Sequence, residues 1–80
     1  MSETQSYLIK IFDLLAKRAA DGQGSHSMTY VVDVIESLPG DERGAFAANV
    51  YANLRHLSGI TFSDVISVVD GVLAFQEVAA

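Results

Sequence analysis

Apolar side chains recur at intervals of three and four residues along most of the chain, which is the 3.6-residue period of helices with one buried face. Three turn-forming stretches interrupt this pattern: DGQGSHS at 21–27, the pair Pro39 and Gly40, and LSG at 57–59. The pattern therefore predicts four helices. They span about 3–20, 28–38, 42–57 and 62–77.

The first predicted helix begins with the sequence signature of a capping box, formed by Ser2 and Gln5. Asp13 and Lys17 have the spacing of an i,i+4 ion pair on the solvent side. Its apolar face is broad, with Ile9 and Leu14 at the flanks. The residues expected to face the core are Tyr7, Leu8, Ile11, Phe12 and Leu15.

The second and third predicted helices are delimited by capping residues and by helix breakers. Ser27 is the expected N-cap of the second helix, which Pro39 and Gly40 end. Asp41 and Glu42 supply negative charge to the start of the third helix. The expected core residues of the two helices are Met28, Val31, Val32, Ile35, Leu38, Phe46, Val50, Leu54 and Leu57.

The fourth predicted helix is apolar around most of its circumference. Thr61 is its expected N-cap, with Asp64 as the acid of a capping box. Projection at about 100° per residue gives two apolar stripes and one small-residue stripe. The small-residue stripe contains Asp64, Ser67, Gly71 and Ala74, and we expect it to admit another backbone closely.

Short connections between these helices favour a compact all-α, four-helix domain with antiparallel neighbours over residues 1–80. A chain of this length buries only about 60–65% of its unfolded surface, which is little for a sequence that is 50% hydrophobic. We therefore expect a homodimer through the C-terminal helix. The expected interface residues are Phe62, Val65, Val68, Val72 and Phe75.

Ten acidic residues against five basic ones give a net charge of −5, which repels phosphate and anionic lipid and favours basic partners. Direct nucleic-acid binding is therefore not expected. The chain has no cysteine, and its two histidines, His26 and His56, lack the spacing of a metal site. No acid is placed to orient either histidine as a catalytic base, and the sequence contains no glycine-rich phosphate loop. We therefore predict no catalytic residue, no metal and no cofactor.

The N-terminal residues MSETQSYLIK lack the basic start and the apolar run of a signal peptide. No apolar stretch approaches the roughly 18 residues of a membrane span. The expectation is therefore a cytoplasmic protein without a membrane partner.

Residues 59–71, GITFSDVISVVDG, resemble the turn and second helix of the helix-turn-helix family. Gly59 matches the turn glycine, Ile60 the buried position after it, and Thr61 the cap. Arg55 stands where the family prefers alanine, and no lysine or arginine follows Gly59. The resemblance implies a transcriptional regulator, which is the alternative to our leading hypothesis. The leading hypothesis is a small acidic protein–protein interaction module that acts as an inhibitor or adaptor by binding another protein, such as a basic, nucleic-acid-binding one.

Overall fold

The computed structural model describes the backbone of residues 2–79 and the side chains of residues 2–76. It contains four helices and, within that range, no β-strand beyond an isolated parallel bridge between Ala19 and Ile60. The predicted all-α, four-helix class is confirmed. The helices are α1 (Glu3–Arg18), α2 (Gly24–Ser37), α3 (Gly40–Leu54) and α4 (Phe62–Ala79).

The core lies where α1 and α4 each pack against both α2 and α3. The bulkiest fully buried side chain is Phe46 of α3, and α3 contacts all three other helices. In the described part of the chain, α1 and α4 do not pack against each other. The buried apolar residues are Ile11, Leu14, Leu15, Val31, Ile35, Phe46, Ala47, Val50, Leu54, Ile60, Val65, Val69 and Val72.

The start of α1 is as predicted. Gln5 N donates to Ser2 Oγ at 3.1 Å and Ser2 N donates to Gln5 Oε1 at 3.2 Å, which completes the capping box. The Lys17 ammonium lies 3.0 Å from the Asp13 carboxylate. The predicted core face is wrong at one position, because Phe12 is 58% exposed. Ile11 and Leu15 are buried as predicted, and the buried face extends to Leu14, which is predicted at the flank, instead of Phe12.

The start of α2 differs from the prediction, because Ser27 is not an N-cap. The helix begins at Gly24, and Ser27 is buried inside it, with its backbone N–H donating to Gln23 O at 2.9 Å. Gly22, at φ 73°, reverses the chain directly before the helix. A Cβ on Gly24 would lie 3.2 Å from Leu15 O, so α2 starts in close contact with the backbone of α1. This contact, which the sequence pattern does not contain, extends α2 beyond its predicted start.

The end of α3 also differs, because the helix stops at Leu54 and not near residue 57. The Arg18 guanidinium donates to the carbonyls of Arg55 at 2.8 Å and Leu57 at 3.2 Å. Ile60 N donates to Arg18 O at 2.8 Å, which draws the following connection toward α1. Tertiary hydrogen bonds thus replace the last predicted turn of α3.

Arg43 donates hydrogen bonds to carbonyls at the end of α2, as Arg18 does after α3. Its Nε donates to Leu38 O at 3.0 Å and its Nη2 donates to Glu36 O at 3.1 Å. The last carbonyls of a helix have no partner within the helix, and a cation near them also complements the helix dipole. Two of the five basic residues are therefore committed to helix ends.

We predict that Arg18→Ala lowers the free energy of unfolding by about 1–2 kcal/mol, because two carbonyls lose a charged donor in a partly buried place. Lys17→Ala is the matched control, since it removes the neighbouring cation from an exposed ion pair and should cost no more than about 0.5 kcal/mol. Urea denaturation measures both. Equal losses in the two variants would contradict the capping role.

Candidate interaction surfaces

The structure separates the five predicted interface residues of α4. Val65 is 0% exposed and Val72 is 6% exposed, so both belong to the core of this subunit. Phe62 and Val68 are partly buried, and Phe75 is 67% exposed. Because α4 packs only against α2 and α3, one side of the helix remains open to solvent.

The open side of α4 forms one wall of a groove of about 520 Å³, which we call the α3–α4 groove. Val68 and Phe75 supply its apolar surface, and two asparagines come from α3. Among the described residues, none in the lining is charged. The lining residues are Asn49, Asn53, Ser67, Val68, Gly71, Val72 and Phe75.

The predicted small-residue stripe lies largely along this groove and its rim. Ser67, Gly71 and Ala74 are exposed. A Cβ added to Gly71 would meet no atom within 4 Å in the described part of the chain. Within the subunit, no other backbone approaches the stripe at Gly71, and an approach by a second copy stays a prediction. A mid-helix glycine costs about 0.5–1 kcal/mol relative to alanine, and the packing inside the subunit does not offset this cost.

Phe62 packs on the opposite flank of α4, against α2. Its ring meets the Tyr30 ring edge-on at 6.0 Å and the His26 ring edge-on at 6.2 Å. The Tyr30 hydroxyl donates to Asp70 Oδ1 at 3.0 Å. Partial burial and the Asp70 carboxylate raise the pKa of Tyr30, which keeps this hydroxyl protonated as a donor. Phe62 is thus a contact between two helices of one subunit.

The start of α4 is held by two caps. Asp64 N donates to Thr61 Oγ1 at 3.1 Å and Thr61 N donates to Asp64 Oδ2 at 3.0 Å, so the predicted capping box is confirmed. Asp21, in the α1–α2 connection, accepts a hydrogen bond from Phe62 N at 2.9 Å and another from Gln23 N at 3.1 Å. The Phe62 N–H lowers the pKa of the Asp21 carboxyl below its ordinary 3.8.

A second apolar surface, which the sequence analysis missed, runs along α1. We call it the α1 stripe: Ile9, Phe12 and Ala16, which are all exposed. Phe12 and Ala16 also line a pocket of about 200 Å³ beside the α1–α2 connection. The signal was present in the sequence, because the three residues have i, i+3, i+7 spacing. The core face and this stripe both have helical spacing, and the pattern alone did not separate them.

Four of the five basic residues make contacts within the subunit. Lys10 lies over the rings of Tyr7 and Tyr51, with 4.9 and 5.8 Å between the ammonium and the ring centroids. Lys17 pairs with Asp13, and the remaining two are the arginines at the ends of α2 and α3. Carboxylates such as Asp33, Glu36 and Asp41 are exposed. The accessible charge is therefore mostly negative.

His26 lies in α2, where its ring packs against Phe62. His56 lies in the turn after α3, not in its last helical turn as predicted. Among the described residues, no three His, Asp or Glu side chains converge as a metal site. None of the helices in that part of the chain has both the length and the hydrophobicity needed to cross a membrane.

Comparisons of the chain with protein-family models, with curated proteins and with solved structures find no match. A functional proposal therefore depends on the geometry and charge of the two apolar surfaces.

Substitution to alanine should distinguish the core and surface members of the predicted interface. Val65→Ala should lower the free energy of unfolding by about 2–3 kcal/mol, because it leaves a cavity in the core. Phe75→Ala should change it by less than about 1 kcal/mol at low protein concentration, since most of the ring is exposed. Thermal and urea denaturation check both values. A large loss for Phe75→Ala would mean that this ring belongs to the subunit core.

The cap at Asp21 makes stability depend on pH. Because its pKa is lower in the folded state, its contribution is complete above about pH 4 and is lost as the pH falls through the folded pKa. We expect Asp21→Asn to be less stable than the native chain at about pH 6 and to approach it at about pH 2.5. Asp33→Asn, an exposed control with the same charge change, should show no such convergence in urea titrations at the two pH values.

Proposed function

We propose that this protein is a small acidic protein-binding module that acts as an inhibitor or adaptor without a catalytic role. The observation that supports this proposal is the exposure of large apolar side chains on two separate surfaces of an 80-residue subunit. These side chains are Phe75, at the α3–α4 groove, and Ile9 and Phe12, on the α1 stripe.

The α1 stripe has the properties of a docking site for a partner side chain or helix. Ile9 is 56% exposed and Phe12 is 58% exposed, and they lie one turn apart on the same face. Aromatic side chains beside a shallow pocket are frequent anchors of protein interfaces, because they bury a large area at a small cost in conformational entropy. Apolar residues at i, i+3 and i+7 are also the spacing at which helices dock into grooves.

The charge of the protein favours a basic partner. The net charge is −5, and most of the basic residues already make contacts inside the subunit. Such a surface accelerates encounter with a positively charged protein and repels nucleic acid. An inhibitor of a basic, nucleic-acid-binding protein gains both effects, since it covers the surface that its partner would present to phosphate.

Two surfaces on different helices suit a protein that associates with itself and also binds a target. This proposal includes two predictions made from the sequence: the protein dimerises through α4, and neighbouring helices within each subunit are antiparallel. The α3–α4 groove would then serve self-association and the α1 stripe the target. Val65 and Val72, the buried members of the predicted interface, would pack beneath the α3–α4 groove as core residues.

The alternative, a helix-turn-helix regulator, has less support from the geometry. Residues 55–61 separate α3 from α4, whereas a helix-turn-helix joins its helices with about three or four residues. Val65 is buried, as the inward face of such a helix requires, but the outward residues Ser67, Gly71 and Ala74 carry no positive charge. Phosphate neutralisation, which supplies most non-specific affinity for DNA, would have few cations available.

We predict that Phe12→Asp reduces recovery of the bound target at least about tenfold in affinity capture from the source cells, because it removes an anchor side chain. Ser58→Asp adds the same charge in the exposed α3–α4 connection and serves as the matched control. Recovery with the native chain should also fall at high salt. The proposal is wrong if neither Phe12→Asp nor Phe75→Asp changes what is captured while both variants remain folded.

A further inference from the structure

We infer that the α3–α4 groove is occupied by α4 of a second copy, antiparallel to the first, across a two-fold axis that passes beside Gly71. This inference rests on the proposed function, because it assigns one of its two surfaces to self-association. The target surface on α1 remains free in such a dimer.

The order of large and small residues along the open side of α4 is self-complementary about Gly71. In an antiparallel pair centred there, position 71 + n of one copy lies opposite position 71 − n of the other. On the flank toward α3, Val68 then packs beside the second copy's Phe75. On the other flank, Ser67 lies beside the second copy's Ala74. Apolar side chains meet on one flank and small ones on the other, and the same contacts occur twice, as an isologous interface requires.

Gly71 lies where the two helices would approach most closely. A Cβ at this position would meet no described atom of the subunit within 4 Å, so the packing that the structure describes does not require a glycine. At a two-fold axis the missing side chain lets two backbones approach, and the exposed Ser67 and Ala74 extend this close contact to both sides. The cost of a glycine inside α4 would then be offset by helix packing between copies.

Charge does not oppose a second copy at this groove. Two copies that each carry −5 repel each other wherever carboxylates face one another. The groove lining that the structure describes, up to Phe75, contains no charged residue. The nearest acid of that part of α4, Asp70, accepts the Tyr30 hydrogen bond on the opposite flank. Like-charged subunits can therefore meet at this surface without opposing carboxylates, and antiparallel α4 helices also place opposite dipole ends together.

The available area is sufficient for a small dimer. A helix the length of α4 is about 27 Å long and about 10 Å wide, so a face two helices wide has roughly 500 Å² of projected area. The two faces together project about 1,000 Å², which is the lower bound for the total area of a specific interface, and protruding side chains add to it. Phe75 of each copy adds an aromatic anchor at the edge of this face.

Single cysteines test the register, because the chain contains none of its own. Under mild oxidation, Gly71→Cys should form a disulfide dimer. Ser67→Cys alone and Ala74→Cys alone should not, since antiparallel copies place these pairs about 12 and 9 Å apart along the axis and a disulfide needs Cα atoms within about 7 Å. An equimolar mixture of Ser67→Cys and Phe75→Cys chains should cross-link only between unlike chains.

The outcomes separate this inference from the proposed function. Disulfides at position 67 or 74 as efficient as at 71 would indicate a parallel or random encounter and would overturn the register. We expect a dissociation constant below about 100 µM for a specific dimer. If sedimentation finds no dimer of the native chain at that concentration, the dimer itself is overturned. The double variant Phe12→Asp with Gly71→Cys should cross-link like Gly71→Cys alone, because Phe12 lies on α1. Its capture of the target is measured separately and should fall as it does for Phe12→Asp.

A second variant guards against an indirect effect on folding. Gly71→Leu places a bulky side chain at the proposed axis, where the single subunit has open space. We expect it to keep its helical circular dichroism and to raise the dissociation constant of the dimer at least tenfold. A dimer of unchanged affinity in Gly71→Leu would contradict the placement of the axis.

Discussion

The hydrogen bonds between the α1–α2 and α3–α4 connections determine the position of α4 in this fold. Ile60, 1% exposed, donates its N–H to Arg18 O and accepts one from Ala20 N, and the Asp21 carboxylate then accepts from the first N–H of α4. These bonds satisfy backbone groups that lie outside helices, where burial without a partner would be costly. They also fix where α4 begins and toward which helices it runs.

From this starting point α4 reaches α2 and α3 but not α1, in the part of the chain that the structure describes. One side of α4 buries Val65, Val69 and Val72, and on a flank of the helix Phe62 packs against Tyr30. The remaining side has no fourth helix to cover it. The α3–α4 groove is thus a consequence of having four helices of which two are held apart by the other two.

Contacts within the subunit also determine which charged side chains remain accessible. A short chain with five basic residues uses Arg18 and Arg43 at helix ends and Lys10 on two tyrosine rings. Among the described carboxylates, Asp21, Asp64 and Asp70 accept hydrogen bonds at a helix start or between helices, and most of the others are exposed. Negative charge therefore remains on the outside together with the α1 stripe, and the combination favours a protein partner that is basic and partly apolar.

The sequence by itself determined the number and type of the elements, because helical periodicity and caps such as Ser2 with Gln5 and Thr61 with Asp64 are local properties of the chain. It did not determine which side of an apolar helix faces inward. Phe12 lies outside and Val65 inside because each helix rotates to bury the face that its neighbours can cover. The ends of α2 and α3 depended likewise on contacts with α1, which join residues distant in sequence and leave no local pattern.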